Sequence, residues 1–132
     1  MEQSRQQDVT IEEPTILIRI TRRYSPTMTA KQLYDATRGI WRVGERRERA
    51  EIAMAVYQGV VKEVYVIDEW YPAGTTKTSM DIDWTDPRVE GRWEFHGHLA
   101  PDYIRDKYLN RSVQNYIPAH AQNPILYVNV EP

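Results

Sequence analysis

The chain has 132 residues, with 17 Lys and Arg against 19 Asp and Glu, and it contains no Cys. This length predicts one domain, and the lack of Cys excludes disulfides, zinc ribbons and cysteine nucleophiles. The net charge of −2 disfavours a protein that coats duplex DNA through bulk electrostatics, since such binding needs many unpaired cations. Arginine nevertheless outnumbers lysine by thirteen to four, and Tyr and Trp outnumber Phe by thirteen to one, which hints at a surface that stacks and hydrogen-bonds a ligand.

The mean hydropathy is −0.67, and the sequence has no apolar run of about 18 residues, so we expect no membrane partner. Residues 1–14 are polar and acidic, without the apolar core of a secretory signal. We therefore predict a disordered tail over residues 1–14 and a cytoplasmic protein, in the host cytoplasm if the source is viral.

Strand and helix patterns alternate along residues 15–132, and we predict that these residues form a single domain. A capping box at Thr29 and Gln32 starts the first helix, and Gly39 is expected to end it in a left-handed conformation. Gln58-Gly59 predicts a tight hairpin turn. Strands are predicted at 15–21, 40–43, 52–57, 60–70, 92–98 and 125–130, and helices at 30–38, 45–51 and 102–109.

Residues 71–90 contain Pro, Gly, Thr and Asp without a sustained period, which predicts a long insert loop. Strands outnumber helices, and too few helices are predicted to cover both faces of an open parallel sheet. The expected class is therefore α+β, with about six strands in a small, mixed, strongly curved sheet that closes like a barrel.

Four stretches carry a family resemblance: LYDATRGIWRVG (33–44), AMAVYQGVVKEVYVIDEW (53–70), IRDKYLNRSVQNY (104–116) and AQNPILYVN (121–129). The chain resembles a family of small, largely uncharacterised bacterial and phage proteins, and similar segments occur downstream of GIY-YIG nuclease domains. More distantly it resembles the PUA-like barrels, which include the EVE, YTH and ASCH domains. That resemblance implies a PUA-like fold and a pocket for a nucleic acid or a flipped, modified base.

The strongest candidate site lies in a basic segment, residues 38–49, where five Arg accompany two Glu and one Trp. Guanidinium groups bind phosphate in pairs of hydrogen bonds, and an indole stacks on a base. We expect Arg38 and Arg42 to contact phosphate, Arg46 to contribute to ligand binding, and Trp41 to stack. The alternative is a solvated helix face with Trp41 in the core.

A second candidate lies in the polar stretch 105–123. Amide side chains such as those of Gln122 and Asn123 can read base edges, and Arg111 can take a phosphate. The alternative is that these side chains hold the backbone of an irregular segment.

His96 and His98 lie on one face of a predicted strand, close in sequence to Asp81, Asp83 and Asp86. A metal site is conceivable there, but the acidic run lacks the Gly and Glu of a calcium loop, and surface histidines are the plainer interpretation. The sequence contains no P-loop, dinucleotide-binding glycine motif or nucleophile elbow. We therefore expect no cofactor, no metal and no catalytic residue.

Three functional hypotheses remain open from the sequence. The first is a non-enzymatic nucleotide- or nucleic-acid-binding module, which the resemblance to phage proteins connects with defence or counter-defence. The second is a homo-oligomeric sequestering or inhibitory protein that binds a nucleotide signal or a host defence enzyme. The third is a small nuclease or hydrolase built on His96 and His98.

Overall fold

The structure, a computed structural model, describes residues 8–132, which form a mixed five-stranded sheet with two α-helices. The strand order is β4-β3-β2-β1-β5. Neighbouring strands are antiparallel except β1 and β2, which are parallel and joined through helix α1. The elements are β1 (Thr15–Arg19), α1 (Ala30–Arg38), β2 (Ile52–Tyr57), β3 (Val60–Pro72), β4 (Trp93–Leu99), α2 (Asp102–Tyr108) and β5 (Ile125–Val128).

Alternating side chains bury both faces of the central strands. On β1, Leu17 points into a core shared with α2, whereas Ile16 and Ile18 point into a second core next to α1. Helix α2 contributes Ile104 and Tyr108 to the first core, and α1 packs Leu33 and Tyr34 against the second. Because successive side chains of a strand face opposite ways, an apolar run such as that of β1 suits a sheet covered on both sides.

The prediction of a closed, strongly curved six-stranded sheet was wrong. The sheet is open and has five strands within the described residues. Residues 40–43 form no strand: Trp41 makes one isolated bridge to Trp93 at the edge of β4. The Tyr34 hydroxyl also occupies that edge, since it bonds both the N–H and the C=O of Gly97 at 3.0 and 3.1 Å. Side chains and loop backbone thus protect the β4 edge without closure of the sheet.

Local signals predicted several boundaries well. Helix α1 spans Ala30–Arg38 with the expected capping box at Thr29, and the hairpin turn has positive φ at Gln58 (51°) and Gly59 (78°). The left-handed cap at Gly39 was wrong, because its φ is −166°. A Cβ on Gly39 would lie 2.9 Å from Cβ of Glu94, so this position needs glycine for close approach. The predicted helix at 45–51 is a shorter 3₁₀-helix, Glu45–Arg49.

Of the predicted tail, residues 1–7 lie outside the described residues, and residues 8–14 run along α2. Ile11 is buried there, and its N–H donates to the Tyr116 hydroxyl. Lys107 binds the carboxylates of Glu12 and Glu13. Between residues 8 and 132, no helix has both the length and the apolar character that crossing a bilayer requires.

Candidate functional site

Arg38, predicted to contact phosphate, is buried at the end of α1 with its guanidinium bound inside the protein. Its Nε lies 2.9 Å from the Asp35 carboxylate, and its Nη1 lies 3.3 Å from the Glu94 carboxylate. The same guanidinium donates to the Thr76 hydroxyl at 2.7 Å and to the Lys77 carbonyl. In this geometry the guanidinium neutralises two buried carboxylates.

The two carboxylates that bind Arg38 also hold the insert loop. Glu94 accepts hydrogen bonds from the N–H groups of Gly74 and Thr76, at 2.8 and 3.0 Å. Asp35 accepts from the N–H of Ser79 at 2.8 Å. Burial acts to raise the pKa of Asp35, but the hydrogen bonds from Ser79, Arg38 and Lys31 outweigh it and hold that pKa below its usual value.

The other predicted residues of the basic segment differ in their exposure. Arg46 donates to the Val130 carbonyl and covers the Tyr127 ring at 4.7 Å, so it holds the end of the chain. Arg42 is exposed. Trp41 is 6% exposed and donates its Nε1–H to the Thr37 carbonyl at 2.7 Å.

The three predicted residues nearer the C-terminus are all exposed. Asn123 caps its own loop, since its Oδ1 accepts from the N–H of Ile125 at 2.9 Å. Arg111 lies in the segment that pairs with the start of β3, where its carbonyl accepts from the N–H of Val61. Only Gln122 joins Trp41 in lining a common cavity.

That cavity, which we call the arginine cavity, has a volume of about 550 Å³ and lies where β1 ends. Four arginines line it, together with Trp41, Gln122 and Pro124: Arg19, Arg22, Arg23 and Arg92. No carboxylate belongs to the lining that the described residues provide. Arg38, Arg42, Arg46, Arg111 and Asn123 are not part of this lining, so two of the predicted site residues are brought together here and the other five are not.

Two of these arginines build the cavity wall. Arg19 donates to the carbonyls of Ala121 and Asn123 at 3.1–3.2 Å, which fixes the loop before β5. Arg23 donates to the carbonyls of Ala36 and Gly39, and its guanidinium lies 4.2 Å from the centre of the Trp41 ring. These contacts explain why the wall is made of arginines even before any ligand is considered.

The other two arginines leave donors available to a ligand. Among residues 8–132, the Arg92 side chain donates only its Nε, to the Arg88 carbonyl at 2.8 Å. The exposed Arg22 side chain makes no hydrogen bond or ion pair within the same range. Burial, with a smaller contribution from the charge of Arg92, lowers the pKa of Arg23 to about 10. A bound anion would act in the opposite direction and favour the charged guanidinium.

The sequence interpretation missed all four arginines of the cavity, Arg19, Arg22, Arg23 and Arg92. A usable signal was the Arg22-Arg23 pair directly after β1, at the start of a β-α-β connection. Ligands of open α/β sheets bind outside the carboxyl ends of parallel strands, so a charged pair at that place is informative. Arg92 had no such signal, because only the tertiary fold brings the start of β4 to this position.

The histidines do not form a metal centre with neighbouring acids. His98 lies 3.1 Å from Asp68 through Nδ1, with both side chains more than half exposed, and His96 packs against the Tyr71 ring. No group of three or more His, Asp or Glu with the geometry of a metal site occurs in the part of the chain that the structure describes. The hydrolase hypothesis therefore gains no geometric support from these two residues.

The chain was compared with known protein families, with curated proteins and with solved structures, and none of the three comparisons yielded a match.

Proposed function

We propose that this protein is a non-enzymatic binding module for a nucleotide or a nucleic-acid strand, and that the arginine cavity receives the phosphate. The observation that supports this proposal is the composition of the cavity: about 550 Å³ lined by four arginines and, among the described residues, by no carboxylate. Guanidinium groups form charge-assisted hydrogen bonds with phosphate that are about twice as strong as neutral ones.

The electrostatics of the cavity favour a bound anion. Burial is the main cause of the lowered pKa of Arg23, and repulsion from Arg92 adds to it. A phosphate between the available donors of Arg22 and Arg92 would reduce this repulsion, and its affinity would gain accordingly. A cationic ligand would increase the repulsion in this cavity.

The size and remaining lining of the cavity favour an organic phosphate over a bare ion. Ligand pockets commonly enclose about 300–1,000 Å³ and combine apolar walls with a few polar groups. Here Ile20, Trp41 and Pro124 provide apolar surface, while the Gln122 amide and Thr21 hydroxyl offer hydrogen bonds to a base or sugar.

This proposal changes the role expected of Trp41. Since Arg23 covers one face of its ring and only 6% of the residue is exposed, Trp41 serves as a wall rather than as a stacking platform. Binding of a flipped or modified base and a role in phage–host defence or counter-defence remain predictions, which the identity of the ligand will test. The PUA-like resemblance also remains a prediction.

The experiment is a thermal-shift screen with nucleotides, cyclic dinucleotides, and plain and modified oligonucleotides. A ligand at about 100 times its Kd stabilises the folded state by about 2.7 kcal/mol. We expect Arg22→Gln and Arg92→Gln each to reduce the shift. Arg49→Gln is the matched control, because Arg49 is exposed, binds the Glu131 carbonyl and lies outside the cavity.

Two outcomes contradict the proposal. If no ligand shifts the melting temperature, the nucleotide function fails, and a sequestering protein that binds a host enzyme becomes the better hypothesis. If a ligand shifts the wild type and both cavity variants equally, it binds elsewhere on the molecule.

A further inference from the structure

Trp84 in the insert loop is 45% exposed, and it belongs to no site described above. One side of its indole packs on Gly74: a Cβ built on that glycine would lie 3.3 Å from Cζ3 of the ring. Gly74 has a φ of 94°, which favours glycine, so the loop backbone brings a residue without a side chain under the indole. Trp84 is thereby supported from one side and open on another.

Trp84 lines a second cavity of about 580 Å³, which we call the tryptophan cavity. Trp93 also lines it, but the Arg47 guanidinium lies 3.6 Å from the Trp93 ring and occupies one face. The remaining walls are largely apolar or backbone, with Pro72, Ala73 and Val89 among them. Such a lining suits a flat, neutral group.

Arg92 lines both the arginine cavity and the tryptophan cavity, so the two adjoin at this side chain. A smaller cavity of about 300 Å³ lies beside both, since it shares Arg23 and Arg92 with the first and Asp86 and Val89 with the second. Asp81 and Asp83 also line it. Because the two cavities share a lining side chain, a single ligand that passes Arg92 would contact both.

The charges of the two cavities differ, and this difference orients the ligand. The tryptophan cavity contains Asp86 and Glu90, and Asp86 is paired with Arg88 at 2.7 Å. The positive charge of Arg92 balances the negative charge of Glu90, so the lining of this cavity is close to neutral. The lining of the arginine cavity is strongly positive. A phosphate is thus favoured in the arginine cavity and an uncharged ring in the tryptophan cavity.

From this arrangement we infer that Trp84 is a base-stacking platform: the ligand places its base on Trp84 and its phosphate in the arginine cavity, with Arg92 between them. The inference rests on the proposed function and narrows it to ligands that carry a heteroaromatic base, excluding simple phosphate esters. Stacking of a base on an aromatic side chain contributes roughly a five- to 150-fold gain in affinity.

The test compares the affinities of nucleoside 5′-monophosphates, ribose 5-phosphate and inorganic phosphate for the full chain. We expect Trp84→Ala to weaken nucleotide binding at least about fivefold and to leave ribose 5-phosphate unaffected, with Trp84→Phe retaining most of the affinity. The matched control is Tyr103→Ala, since Tyr103 is a 72% exposed aromatic residue on α2, outside both cavities.

A second measurement does not depend on any variant folding. The indole N–H resonance of Trp84 in the wild-type protein should shift on addition of a nucleotide and stay in place on addition of ribose 5-phosphate. Unchanged nucleotide affinity in folded Trp84→Ala, an equal loss for ribose 5-phosphate, or an unmoved resonance overturns this inference while leaving the proposed function intact. If nucleotides fail to bind, or bind regardless of Arg22→Gln and Arg92→Gln, the proposed function itself fails and this inference falls with it.

Discussion

The basic segment and the arginine cavity contain similar numbers of arginines but use them differently. In the basic segment Arg38 neutralises buried carboxylates, Arg46 holds the Val130 carbonyl and Arg47 covers the Trp93 ring. In the arginine cavity, Arg22 and Arg92 retain donors that the described protein does not use. The density of arginine along a sequence therefore does not indicate its availability to a ligand, because each guanidinium first binds nearby carbonyls, carboxylates and rings.

The largest expected effect comes from removing the most enclosed arginine. Arg38→Ala leaves Asp35 and Glu94 buried without their common cation, and breaking a buried pair in this way typically costs about 3–5 kcal/mol. We expect that loss in the free energy of unfolding measured by denaturant titration. A loss below about 1 kcal/mol would show that the loop opens and hydrates the carboxylates. Arg38 would then not be needed for the stability of the fold.

Arg22→Gln should affect ligand binding and leave the stability of the fold nearly unchanged. Its free energy of unfolding should change by less than about 0.5 kcal/mol, since Arg22 is exposed and makes no bond to the described residues. Loss of a charged hydrogen bond to phosphate costs about 1.5–3 kcal/mol, so nucleotide affinity measured by calorimetry should fall roughly ten- to 150-fold. If Arg42→Gln weakens binding instead, the ligand lies on the basic segment and not in the arginine cavity.

Acid should weaken the contacts by which Asp35 binds Arg38 and the insert loop. The pKa of Asp35 is lowered in the folded protein, so the unfolded chain takes up this proton first as the pH falls. The stability contributed by Asp35 is therefore complete above the usual carboxyl pKa near 4 and is lost as the pH falls from there through the folded pKa. Unfolding titrations between pH 7 and pH 3 should show a shallower acid dependence for Asp35→Asn than for the wild type; equal slopes would contradict this.

The smallest effect concerns Arg46, a half-buried arginine of the basic segment. Arg46→Ala removes the hydrogen bonds to the Val130 carbonyl and the contact with Tyr127. We expect a loss of about 1 kcal/mol in the free energy of unfolding. Nucleotide affinity should be unchanged, and a fall in affinity as large as that of Arg22→Gln would show that both regions contact the ligand.

Local patterns predicted what depends on neighbours in the chain. The capping box at Thr29 defined where α1 begins, and Gln58-Gly59 defined the hairpin between β2 and β3, because both signals depend on hydrogen bonds or φ angles within a few residues. Residues 40–43 had a strand pattern yet formed a single bridge, since a strand also needs a partner along its whole length.

The candidate site was predicted only in part, through Trp41 and Gln122. Its arginines come from the end of β1 and the start of β4, about 70 residues apart in the chain. The platform at Trp84 likewise depends on the loop anchored by Glu94, which no local pattern encodes.

From the amino-acid order alone followed the α+β class, most of the helices and strands, and the abundance of arginine and indole groups suited to a ligand. The tertiary structure decided that the sheet stays open, that the arginines of residues 38–49 are largely bound within the protein, and that Arg22 and Arg92 face a common cavity. The reason is physical: helix caps, turns and alternation are settled over a few residues, whereas the partners of a guanidinium, such as Val130 for Arg46 or Glu94 for Arg38, come from distant parts of the chain.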